Sequence, residues 1–239
     1  MLPITTEKVH TSTAGAYIGD WVYGANDGII TTFAVVSGAA GASLSAGVIL
    51  ILGLANLAAD GISMGMSNYL ALKSRRDYEK RQRRIEEEEV EQFPDIERQE
   101  IRDILVRWKV APEHHDAMVR ELTKDKKVWV DIMMREELGI VEQEVGHAAR
   151  HGFATFAAFV IAGALPLIPY IFALPPDLQF SVSIAATAVS LFIIGAARSL
   201  VTKTSWITSG LQMLGIGALA AGSAYLVGSI VKQLFGIEL

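Results

Sequence analysis

Apolar residues fall into five long runs along this chain, separated by three short polar loops and one long charged stretch. The runs cover about 17–42, 48–72, 153–174, 180–197 and 207–231. A helix needs about 20 apolar residues to cross a bilayer, so the pattern predicts five transmembrane helices. Residues 1–16 form a polar lead, read as a short interfacial helix. The turn GASLSAG joins the first two runs. Pro166 and Pro169 predict a kink in the third, tolerable where neighbouring helices re-satisfy the freed backbone groups.

The charged stretch interrupts this pattern between the second and third runs. From Lys73 onward the sequence KSRRDYEKRQRRIEEEEVEQFPDIERQE carries no break signal until Pro94, so the second helix is expected to continue in water to about Phe93. Asp95 is expected to cap a helix over 96–109, Pro112 to start another, and 126–138 to form a fourth that ends at Gly139. The fold class is therefore all-α: a polytopic membrane protein with five transmembrane helices and a helical cytoplasmic insertion between spans two and three. The expected domains are 1–72 (lead and spans one and two), 73–151 (insertion) and 152–239 (spans three to five).

Charge sharpens this division. The chain has 239 residues, 51% hydrophobic, with a net charge of −5 and a mean hydropathy of +0.35. Residues 73–151 hold 20 of the 26 acids and 17 of the 21 bases. A soluble protein of this size does not segregate its charge so completely. Bases follow span two and recur as Arg198 and Lys203 between spans four and five, whereas the loop PPDLQ has none. The positive-inside rule then puts the insertion and the N-terminus in the cytoplasm. The lead lacks a basic n-region and a cleavage pattern, so the first span is expected to stay in the mature protein. The mild negative charge gives no footprint for nucleic acid.

Several constellations carry candidate chemistry. There is no cysteine, which excludes disulfides and thiolate metal sites, and no nucleophile triad, phosphate loop or zinc-protease motif appears. Asn56, Asp60 and Met64 are spaced by four and share a face of the second span, while Asn26 and Asp27 lie in the first. A carboxylate in hydrocarbon costs about 2.5–3.5 kcal/mol on insertion scales, so Asp27 and Asp60 with a thioether favour a transport pathway over simple helix pairing. Asp20 lies nearer the cytoplasmic end, an interfacial position. In the insertion, Glu86 and Glu89 share a face, as do Glu97 and Glu100, and Met133 with Glu137. The break at Pro94 brings one glutamate pair within reach of the other. Carboxylates with a thioether suit a divalent transition metal, yet on spacing alone the commoner explanation of a run such as EEEE is a solvated helix face. His114 and His115 are adjacent and point apart. His147 and His151 have metal-compatible spacing, but beside span three an interfacial or exposed role is the commoner one.

At these residues the sequence resembles the vacuolar iron transporter family. The matching stretches are YGANDGIITTFAVVSGAAGA, GLANLAADGISMGMSNYLALKS, FPDIERQEIRDIL, WVDIMMREELGI and GALPLIPYIF, which cover nearly the whole chain in order. The resemblance implies a dimer of five-span protomers that moves ferrous iron, often manganese too, out of the cytosol in exchange for protons. It implies Asp27 and Met64 as metal ligands of the pore, and Glu86, Glu89, Glu97, Glu100, Met133 and Glu137 as the cytoplasmic metal site. One departure stands out: the family has a glutamate where this chain has Asn56, and a small residue where it has Asp60. The intramembrane carboxylate is displaced by one turn along the same face, which adds Asp60 to the expected pathway.

The expected function is proton-coupled export of divalent iron, with manganese or other divalent transition metals as further cargo. No prosthetic group is expected. The partners are metal ions, protons, the lipid bilayer and a second copy of the chain, in a bacterial-type inner membrane or a vacuolar membrane. The rival reading is a membrane-anchored metal buffer or sensor that does not transport. A membrane oxidoreductase lacks any cofactor motif.

Overall fold

The computed structural model describes residues 13–141 and 147–236. The lead expected over 1–16 falls outside this range except for its last four residues. Every element among the described residues is helical, with no strand. The chain divides into two compact units, Met1–Leu70 with Gly146–Leu239, and Ala71–Val145.

The first unit is built from long helices: α1 (Thr13–Gly41), the first part of α2 (Ala46–Gln92), α6 (Ala148–Gly163), the short α7 (Ile168–Ile171), α8 (Pro176–Thr202) and α9 (Trp206–Phe235). Among the described residues, four helical stretches are long and apolar enough to cross a membrane: α2, Ala148–Ile171, Pro176–Ser199 and α9. The first expected span lies within α1 but is not among the four. The reason is local, since Asn26 and Asp27 fall inside its apolar stretch and lower its hydropathy. The third expected span is interrupted rather than kinked. α6 ends at Gly163, Leu165–Leu167 form a 3-10 turn around Pro166, and α7 begins with Ile168. The freed Pro166 carbonyl accepts a hydrogen bond from the Ser183 hydroxyl at 2.7 Å.

α1 and α6 cross with almost no side chains between them. A Cβ on Gly24 would strike the Thr155 carbonyl oxygen, and one on Gly28 the Phe159 carbonyl oxygen. A Cβ on Gly163 would come within 2.8 Å of the Gly28 carbonyl oxygen. Small residues thus let the two backbones touch, which is how helices gain van der Waals contact in a bilayer. Around this crossing Phe33, Val36, Ile49, Leu57, Phe159 and Leu167 form one apolar cluster, and Ile29, Ala162, Leu191 and Met213 another.

The second unit contains the charged part of α2, then α3 (Pro94–Arg107), a 3-10 turn Pro112–His114, α4 (His115–Leu122) and α5 (Lys126–Glu136). At 47 residues α2 has more than twice the residues needed to cross a bilayer. Asp95 does not cap α3 as the sequence suggests. Pro94 occupies the first helical turn, where its missing N–H costs nothing, and Phe93 takes the cap position without a side-chain bond. α5 does have a side-chain cap: Asp125 accepts from the backbone N–H groups of Lys127 at 2.8 Å and Val128 at 3.2 Å. Val90, Ile101, Ile104, Leu105, Val119, Trp129, Val130, Met133 and Met134 form the core of this unit.

Candidate functional site

Two sets of functional side chains emerge, one in each unit. In the second unit the chain reverses at Phe93 and Pro94, so α3 returns alongside the end of α2. Glu86 and Glu89 on α2 thereby enter the electrostatic field of Glu97 and Glu100 on α3 and of Glu137 beyond the end of α5. Glu86 and Glu97 are buried, at 4% and 5% exposure, directly over the apolar core. Glu89 and Glu100 are partly buried, and Glu137 stands at the open edge. One carboxyl oxygen of Glu86 and one of Glu97 are buried without a hydrogen-bond partner.

Burial first, and then the neighbouring carboxylates, push Glu86 and Glu97 up to about 7. Partial burial and then Glu100 raise Glu137, while Arg107 opposes the rise. Other bases are engaged around the rim: Arg83 with Asp131, Lys126 with Glu91, and Arg102 with Asp116. The expected Met133 is fully buried within the apolar cluster. Its carbonyl accepts from the Glu137 N–H at 2.9 Å, which ties the two positions together through the backbone. Among the described residues, no three His, Asp or Glu side chains are already arranged to hold a metal ion. The acids are neighbours that repel, not a closed cage.

In the first unit, Asp27 on α1 is partly buried and interacts electrostatically with Asp60 on α2. Asp60 itself is exposed on the helix surface, and Met64 one turn on is partly buried against the apolar cluster. The Asn26 side-chain oxygen and the Asn56 side-chain nitrogen are both buried without partners.

The spacing of acids and histidines did not reveal a further network near one end of the same helices. Asp20 on α1 accepts a 2.7 Å hydrogen bond from the Asn68 amide on α2 and meets His151 Nδ1 on α6 at 2.5 Å. Asn68 also donates to Thr155 Oγ1 at 2.7 Å, and Thr155 donates to the His151 carbonyl at 3.0 Å. Asp20 is therefore not merely interfacial, and His151 is 7% exposed rather than on the surface. His147 is exposed and does not act with it. Asn68 was legible in principle, since it extends the 56, 60, 64 series by four.

A family model described as the VIT family matches residues 18–229. A protein called "Vacuolar iron transporter" from Centaurea cyanus is 36% identical over 224 residues, covering 93% of this chain and 91% of the relative. "Vacuolar iron transporter 1" from Arabidopsis thaliana is 34% identical over 222 residues, covering 92% and 88%. "Vacuolar iron transporter" from Plasmodium falciparum is 33% identical over 221 residues, covering 89% and 81%.

Proposed function

The chain belongs to the VIT family, and from that premise we propose that it carries ferrous iron across a membrane in exchange for protons. It is a transporter rather than an enzyme. The observation that carries the reading is the pair of buried carboxyl groups, Glu86 and Glu97, each with an unpartnered oxygen and each pushed up to about 7. A divalent cation supplies the charge that these acids lack, draws the five carboxylates together, and displaces the protons they hold near neutral pH. Glu86, Glu89, Glu97, Glu100 and Glu137 are the capture ligands in this reading. Met133, from beneath, gives the site a soft face that favours iron or manganese over magnesium.

Asp27, Asp60 and Met64 line the passage through the first unit. An exposed carboxylate on a spanning helix is costly against lipid, so the exposure of Asp60 supports a homodimer in which a second copy covers that face. Residues 71–145 face the cytosol in this reading, α1 supplies the fifth span, and the membrane is vacuolar or its bacterial counterpart. Sealed vesicles containing the purified chain test the proposal with ferrous iron, manganese, zinc and magnesium. Saturable uptake of iron with counterflow of protons is the expected result. Metal binding without uptake would reduce the protein to a buffer.

A further inference from the structure

The polar network at Asp20 has one place where a proton can be taken up or released. Thr155 uses its single hydroxyl hydrogen on the His151 carbonyl, so its oxygen accepts from Asn68. That bond fixes the Asn68 amide with its NH2 toward Asp20 Oδ1, where it only donates. Both hydrogens of that NH2 are then committed. The remaining contact, between Asp20 Oδ2 and His151 Nδ1 at 2.5 Å, joins two groups that each exist with or without a proton. The side chains of the pair are only 8% and 13% exposed.

Aromatic side chains pack beside the pair. From α1 the Tyr17 ring packs tilted against the imidazole, with centroids 4.5 Å apart, and from α2 Tyr69 lies against Gly152. On α6 itself His147 and Arg150 are exposed. The position matters as much as the chemistry. Asp20 and Asp27 are seven residues apart on α1, so they share a face at a separation of about 10 Å. Asn68 continues the α2 series through Met64, Asp60 and Asn56. The network therefore joins the ends of the two stripes that carry the proposed pathway residues.

We propose that the Asp20–His151 pair, oriented by Asn68 and Thr155, is the proton-carrying site of the exchange, separate from the groups that hold metal. This rests on the exchange reading above. In one half of the cycle the imidazole carries the extra proton against the Asp20 carboxylate, and in the other it is neutral and donates through Nδ1. The proton enters from the side to which metal is delivered and leaves to the cytosol.

The test uses the full chain in liposomes with Fe2+. His151→Asn places an amide donor where Nδ1 stands but cannot carry a proton. It is expected to abolish net iron uptake and proton counterflow, while labelled-for-unlabelled iron exchange across the bilayer, which needs no net proton movement, persists within about twofold of the unmodified chain. A merely structural role would remove both, and that outcome overturns the proposal. So does retained proton counterflow. If the unmodified chain moves iron without protons, the exchange reading itself fails and this one with it. A second variant avoids position 151. Asp20→Asn keeps the side chain's size and its hydrogen-bonding oxygen but removes the proton acceptor, so it should likewise stop net uptake and counterflow while the labelled exchange persists. Net uptake with proton counterflow by Asp20→Asn would overturn the assignment.

Discussion

The carboxyl groups of Glu97 and Glu100 stand one turn apart on α3, and after burial it is Glu100 that does most to push Glu97 up to about 7. Two ionised carboxylates this close repel each other, which favours a proton on Glu97 in the metal-free protein near neutral pH. A cation and that proton therefore compete for the same oxygens.

Removing the pair is expected to show this directly. Glu97→Gln with Glu100→Gln should weaken binding of Fe2+ or Mn2+ by at least about tenfold, or ~1.4 kcal/mol, by titration calorimetry. Glu88→Gln, on an exposed side chain nearby, should leave the affinity unchanged. Equal losses from both would remove the five acids as the capture site.

The pH dependence has a definite sign. Glu86 and Glu97 titrate near 7 in the folded chain and at 4.5 without the fold, so between those values the folded state holds more protons. The metal-free second unit should lose stability as pH rises from about 4.5 through 7. Amide exchange in α3, corrected for intrinsic rate, should be faster at about pH 8 than at about pH 5.5. Metal affinity should run the other way, rising across the same window as protons cease to compete. An affinity that is flat with pH would contradict the proton displacement.

Asp27 and Asp60 separate transport from folding. Asp27→Asn is expected to abolish vesicle uptake while leaving the folded protein intact. Asp60 is exposed within the protomer and packs against no core residue, so Asp60→Ala should leave the protein folded, yet reduce uptake nearly as far. Asn56→Glu combined with Asp60→Gly, which moves the carboxylate about 6 Å along the same face, should restore part of it. Normal uptake by Asp60→Ala would leave that carboxylate without a part in the pathway.

Gly28→Ala should be severe. Its new methyl group would overlap the Phe159 carbonyl, a backbone atom that cannot swing aside. A loss of about 1–3 kcal/mol is expected from overpacking. Gly47→Ala, which meets nothing within 4 Å, should be neutral or slightly stabilising. Comparable unfolding temperatures for the two would contradict the close crossing.

Length and hydropathy located the long apolar helices because burying an apolar run needs no knowledge of its neighbours. The same measure undercounts α1, where Asn26 and Asp27 interrupt the run that the glycines and the α6 backbone accommodate. Local rules also misplaced the start of α3, since Pro94 fills the first helical turn and takes the capping role away from Asp95. Spacing by three and four correctly put Glu86 with Glu89 and Glu97 with Glu100, because those relations lie within one helix. It was silent on Asp20 and His151, which are 131 residues apart and meet only across two helices. Spacing also could not give the depth of Met133, which packing buries in the core of its unit.

The backbone-to-backbone crossing of α1 and α6 also constrains how the protein moves. Surfaces that mesh through long side chains can slide, because each side chain has other rotamers to adopt. Glycines seated against carbonyl oxygens have no such slack, so α1 and α6 should travel as one rigid piece. Any change of access from one side of the membrane to the other must then be made by the remaining helices moving past that fixed beam.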